Sequence, residues 1–398
     1  MQEMDGRSNA PVYSQPSSPK SEAEPLNPAS PERTPTPSMP NAVKERYLSL
    51  DAYRGLIMIL LVSGGLGFSD LAPDVLAAHP IYRAIANQLE HRPWGGADFE
   101  DMIMPAFLFM VGVAMPFALA RRKEQGATPR DAFKHVLVRS LRLILISEIW
   151  VSIIENRPHL SVHNVLFVVG ITYFACYLLM RLEFWKQATV AASLLVLHSA
   201  IYLLFPGPNG AFAQVTNAGA RLDRWLMLAR FNYPWQCVTI NLVSEVPSVL
   251  FGIWVGNLLR SGKDRSQQMK ILTLGMLAAF VLGLAFSPLV PINKWLWTST
   301  YTLYTTGWSI FGLLVFYLLV EVLGLRRPMF PLMVVGRNSL FVYCLAVVGA
   351  SISEDVKIFT GGFAPIGALA PVAQSCAVLL VTWYLAYWLY KRKIFLTA

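Results

Sequence analysis

Charged side chains are scarce in this chain: they make up 14% of its 398 residues, against about 25% in an ordinary soluble domain. Too few exist to clothe a water-facing surface of this size, which excludes a conventional soluble fold. Cysteine is scarce too. Cys176, Cys237, Cys344 and Cys376 are the four present, and no two have CxxC spacing. That excludes a disulfide framework and a zinc site of the usual pattern, and no metal is expected. Negative charge is in the minority, giving a net charge of +9. The basic residues flank apolar runs instead of forming one stripe, so the excess reads as a set of orientation signals and no nucleic-acid partner is expected.

What the chain has in abundance is apolar residues, 55% of the total, arranged in long runs. The runs fall at roughly 48–68, 102–120, 136–155, 164–180, 187–205, 239–259, 271–289, 300–321, 329–350 and 366–390. Each is near the ~20 residues needed to cross the hydrocarbon core as a helix. The expected fold is all-α, a polytopic membrane helix bundle of about ten transmembrane helices, with residues 47–398 as one domain in the lipid bilayer. Residues 1–46, rich in Pro, Ser and Glu, lack the apolar side chains that offset ordering entropy and read as a disordered cytoplasmic tail. With the tail inside, most of the 33 Lys and Arg fall on the cytoplasmic side, and both termini are cytoplasmic. Two long outer loops, 69–101 and 206–238, are each expected to carry a short amphipathic helix.

The polar residues that interrupt the apolar pattern are the candidates for chemistry. In LEHRPWGGADFEDMIMP, His91 stands beside Trp94, the Gly95–Gly96 pair and the acids Asp98, Glu100 and Asp101. An imidazole titrates near neutrality and can serve as base, acid or nucleophile. A nearby carboxylate can fix its tautomer, and paired glycines let backbone approach a ligand. In SLDAYRG, Asp51 and Arg54 share a helix face, with Arg54 inside an apolar run where an ionisable group is costly. Arg139 and Arg142 repeat that arrangement at the inner end of the third run. Glu148 and Glu245 lie deep in apolar stretches. PINKWLWTSTY adds Asn293, Lys294 and Trp297 at an outer loop, and GRNSLFVY adds Arg337, Asn338 and Ser339. His198, alone in an apolar span, reads as a packing residue, and His159 and His163 lack nearby acids.

Taken in order, these stretches resemble the heparan-α-glucosaminide N-acetyltransferase family and its bacterial relatives, which are multi-pass membrane acyltransferases. SLDAYRG (49–55), the His91–Gly112 segment, RLDRWLM (221–227), INKWLWTSTY (292–301) and GRNSLFVY (336–343) carry the resemblance across about residues 47–350. The resemblance implies that acetyl-CoA enters from the cytoplasm and that an acetyl or other acyl group passes to an amino sugar or other glycan on the outer side. It implies His91 as catalytic residue with Asp101 as its orienting acid. Arg54, Arg139, Arg142 and Asn338 become candidates for the CoA side. Trp94, Asp98, Asn293, Lys294 and Trp297 become candidates for the acceptor side. A plasma-membrane protein of bacterial type is implied, with a homodimer compatible but no dimer face readable. The chain also departs from the family: Gly65 stands where an Asn is common, and YPWQCV (233–238) where an acidic turn is common. A transporter or flippase of a sugar or lipid-linked substrate is the alternative class, and a catalytically silent relative the second.

Overall fold

The apolar runs fold as helices, and the described residues contain no β-strand. The computed structural model describes residues 47–154, 164–226, 239–345 and 363–396. The 1–46 tail, His159, His163, Cys237 and the YPWQCV stretch lie outside these. In chain order the helices are α1 (Leu48–Val62), α2 (Pro73–Ala78), α3 (Pro80–Gln88), α4 (Ile103–Glu124), α5 (Pro129–Ile154), α6 (Val165–Leu179) and α7 (Phe184–Leu204). Then follow α8 (Ala218–Trp225), α9 (Asn241–Arg260), α10 (Arg265–Ala285), α11 (Ser299–Tyr317), α12 (Arg326–Arg337), α13 (Ser339–Leu345) and α14 (Ala370–Lys391). The amphipathic helices expected in the two long loops are α2, α3 and α8.

Among the described residues, six helical stretches are long and apolar enough to cross a bilayer, or seven if α12 and α13, bent by 71° at Asn338, form one span. The expected count of about ten is not confirmed by these. The difference has physical causes. Helices α1 and α6 each have 15 residues, short of a full crossing. Helix α5 has 26 residues, but Lys134, Arg139, Arg142 and Glu148 break its apolar run.

The centre of the bundle is the α4–α9 pair, joined at backbone distance. A Cβ on Gly112 would stand 2.0 Å from Val249 O, one on Gly252 2.0 Å from Phe109 O, and one on Gly256 2.4 Å from Val113 O. Small residues four apart let two helices touch without side chains between them, which maximises dispersion contact where lipid offers no hydrophobic drive. Helices α1, α6, α7 and α11 pack around this pair, and α12 lies along α1. Helices α5 and α10 sit outside. Leu141, Leu145, Ile149 and Ile153 form an exposed stripe along α5, and Leu274, Leu277, Val281 and Leu284 another along α10. Exposed apolar stripes at helical spacing belong in lipid.

Candidate active site

Two loops separated by about 200 residues meet ahead of α4 and α11. The first begins after α3 and turns through Gly95 and Gly96, both left-handed at φ 70° and 73°, a conformation that costs other residues energy. This turn aims Gly96 N at Ile292 O, 2.6 Å away, and so zips the first loop to the second. The indole of Trp295 adds a second tie, donating to Arg92 O at 2.8 Å.

The zipped loops bring three ionisable side chains together. Asp101 is fully buried just before α4. Its Oδ1 lies 3.2 Å from His91 Nδ1 and 3.1 Å from Lys294 Nζ. Its Oδ2 accepts from the backbone N–H of Asp98 at 3.0 Å and of Arg92 at 3.4 Å. The Lys294 ammonium is itself 2.7 Å from His91 Nδ1. Burial pushes the Lys294 ammonium below the usual lysine range, and the Asp101 carboxylate beside it pulls partly the other way. His91 is half exposed. None of the hydrogen bonds among the described residues uses its Nε2. Nδ1 cannot both donate to Asp101 and accept from Lys294, so the proton on Lys294 and the imidazole tautomer are coupled.

The remaining site candidates divide by what they touch. Asp98 accepts from Arg92 Nη1 at 3.3 Å at the rim of the cluster, and Trp94 anchors the first loop by donating to Phe212 O at 3.3 Å. Asn293 and Trp297 are buried and shape the second loop from within. Asn293 Oδ1 accepts from Leu296 N at 3.2 Å. Trp297 is held at φ 43°, unusual for a large side chain, by Ser244 of α9, whose hydroxyl donates to Trp297 O.

The cationic candidates lie on separate helices. Arg54 is on α1, which packs along α12, α4 and α11, whereas Arg139 and Arg142 are on α5, which packs along α6. The Arg139 guanidinium sits 4.8 Å from the centre of the Tyr173 ring, and Arg142 is exposed. Asn338 stands at the α12–α13 bend, donating to Ile394 O at 3.2 Å and accepting from Leu396 N at 3.2 Å. Both ends of its amide are therefore taken by the C-terminal segment.

Three contributors were not singled out in the sequence. Arg92 and Trp295 supply the ties between the loops, and the Tyr301 hydroxyl donates to Asp101 O. Each is adjacent to, or one turn from, a residue that was singled out. Their partners lie about 200 residues away, a distance no local pattern spans.

An all-α polytopic membrane protein with a half-open His–Asp–Lys cluster between two loops is thus the class that fold and site define. Comparison with known proteins agrees with the resemblance read from the motifs. A family model described as a domain of unknown function (DUF5009) matches residues 46–218. The chain is similar to heparan-alpha-glucosaminide N-acetyltransferase of Mus musculus, 24% identical over 417 residues, covering 88% of this chain and 60% of that protein. It is similar to the Homo sapiens protein of the same name, 23% identical over 419 residues, covering 89% of this chain and 60% of the relative. The chain spans about 60% of the length of these curated relatives.

Proposed function

We propose that this chain is a membrane acyltransferase that moves an acetyl or other acyl group from cytosolic acetyl-CoA to the amine of a sugar, or to another glycan, on the outer side of the plasma membrane. The observation that carries the reading is the contact of His91 Nδ1 with a fully buried carboxylate, 3.2 Å away, while His91 itself is half open. With Nδ1–H donating to Asp101, the ring's lone pair is on Nε2, which becomes its reactive edge.

In the reaction the acceptor nitrogen bonds to the thioester carbonyl carbon and the carbon–sulfur bond breaks. Nε2 takes the proton lost by the amine and returns it to the departing thiolate, so atoms and charge balance. The same edge can instead carry the acetyl group between the two steps. Trp94, Asp98 and Lys294 are assigned to the acceptor side, and Asn293 and Trp297 hold the loop that presents Lys294. Arg54, Arg139 and Arg142 carry the fixed positive charge that suits CoA phosphates. Asn338 can join them only when the C-terminal segment leaves its amide. Both termini are assigned to the cytoplasm from the distribution of Lys and Arg.

The test uses purified full-length protein in nanodiscs. Acetyl-CoA and free CoA should each raise the melting temperature in a concentration-dependent way. CoA release in the presence of glucosamine should depend on His91 and fall by about 10²-fold or more in His91→Ala. Absence of any shift with either ligand at millimolar concentration refutes the reading.

A further inference from the structure

A cavity of about 350 Å³ lies between α1, α4 and α11, lined by Tyr53, Leu60, Ile103, Trp308, Phe311 and Val315 among others. Its size falls at the lower end of small-molecule sites. Three features say what it holds.

The wall is hydrocarbon and aromatic. Its hydroxyls are few: Ser309 Oγ already donates to Thr305 O at 2.7 Å, and the phenols of Tyr53 and Tyr304 lie along the α1 and α11 walls. An amide-bearing arm such as pantetheine has more donors and acceptors than these phenols can satisfy and would leave most of its polar groups without partners there. An alkyl chain leaves none.

The cavity is elongated along the bundle. Its α11 lining runs from Tyr304 to Phe316, which spans about 18 Å at the rise of a helix, over half the ~30 Å hydrocarbon core. Its side is open: Phe99, Trp308 and Phe311 on its margin are each more than 40% exposed. Exposed apolar side chains of this kind on membrane-length helices belong in lipid.

The polar mouth adjoins the candidate active site. Gln88 and Asp98 are the amide and acid in the lining. Asp98 accepts from Arg92 Nη1, and its backbone N–H donates to the Asp101 carboxylate that holds His91.

From this juxtaposition we infer that the acyl acceptor is lipid-linked: its hydrocarbon chain lies in the cavity between α1, α4 and α11, and its amine-bearing sugar head reaches His91 past Asp98. This assignment rests on the acyltransfer reading and narrows its acceptor to an amphiphile drawn laterally from the membrane.

The probes are methyl and dodecyl glucosaminide, each with a free 2-amino group, and a dodecyl glucosaminide carrying a diazirine in its chain. Wild type in nanodiscs should label within 53–60 and 304–316, and the dodecyl but not the methyl compound should protect against labelling. With acetyl-CoA, kcat/KM should favour the dodecyl acceptor by about tenfold or more, since each methylene drawn from water adds to binding. Leu60→Trp and Val315→Trp, which fill the cavity from two different helices, should abolish that preference and leave methyl glucosaminide acetylation within twofold of wild type. Labels spread evenly over all lipid-facing helices, or a dodecyl preference that survives both substitutions, means partition into the bilayer alone and overturns the lipid-linked acceptor while acyl transfer stands. Loss of methyl glucosaminide acetylation only in His91→Ala keeps the acyltransfer reading apart from that result. No acetylation of any acceptor by wild type overturns both.

Discussion

Replacing Asp101 by asparagine tests the site through the imidazole tautomer. In the native arrangement Oδ2 receives two backbone N–H groups, from Asp98 and Arg92, and Oδ1 faces His91 and Lys294. An asparagine has one acceptor oxygen. The two backbone donors are fixed by the loop and claim it, so the amide nitrogen turns toward His91 Nδ1 and donates. Nδ1 then becomes an acceptor, the ring proton moves to Nε2, and the base is lost. On the acyltransfer reading this costs about 10²–10⁴ in kcat, the range of a lost general base and its orienting acid, with KM for acetyl-CoA nearly unchanged. The structural cost is smaller, because shape and both backbone hydrogen bonds survive. Lys294 loses its counter-charge, but it is partly exposed and can release its proton, so roughly 1–3 kcal/mol of stability is lost. The assay is thiol release from acetyl-CoA with an amine acceptor, paired with a melting curve on the same preparation. A variant that keeps its kcat within threefold of wild type while folding normally would sink the tautomer argument.

Three further outcomes follow from the geometry. Lys294→Met should flatten the pH dependence of stability. The lysine value is depressed by burial, so between that value and the ordinary lysine pKa near 10.4 the unfolded chain binds more protons and native stability rises with pH. Equal melting-temperature slopes between pH 7 and 10.5 for wild type and variant would refute this. Gly252→Ala places a methyl 2.0 Å from Phe109 O and should cost about 1–3 kcal/mol, read as a lower detergent melting temperature. Unchanged melting would mean that α4 and α9 can part. Ser244→Ala removes the hydroxyl that holds Trp297 O at its left-handed turn. It should lower kcat several-fold by loosening the loop that carries Lys294, and glucosamine acetylation at the wild-type rate would contradict that.

The sequence shows every principal helix as an apolar run, because hydrocarbon demands that backbone groups be paired within each segment. Whether each run crosses fully is less legible. The 15-residue α1 and α6 depend on neighbours and on local bilayer thickness, which periodicity does not encode. Within the site, His91 and Asp101 share one loop and were readable as a pair. Lys294 was read only as an acceptor-side residue. Its contact with His91 crosses 203 residues and exists because two glycine φ angles aim one loop at the other. Asn293 and Trp297 carry the same polar and aromatic signals as ligand-binding residues, yet burial turns them inward to brace the loop. The glycines of α4 and α9 show the limit from the other side. They are visible as small residues in an apolar run, but their partner helix is set by packing alone.

The bend between α12 and α13 has a consequence for the order of assembly. The amide of Asn338 is satisfied by Ile394 O and Leu396 N, which lie 56 and 58 residues further along the chain. At translation rates of about 5–20 residues per second, those partners are made roughly 3–12 s after the bend itself. In that interval the 12-residue α12 waits with an unsatisfied amide at its end, and α1, its packing neighbour, is already in the membrane. That end of the bundle therefore closes late: the segment at 394–396 clamps a bend made well before it, and the fold there is set only once that segment has been synthesised.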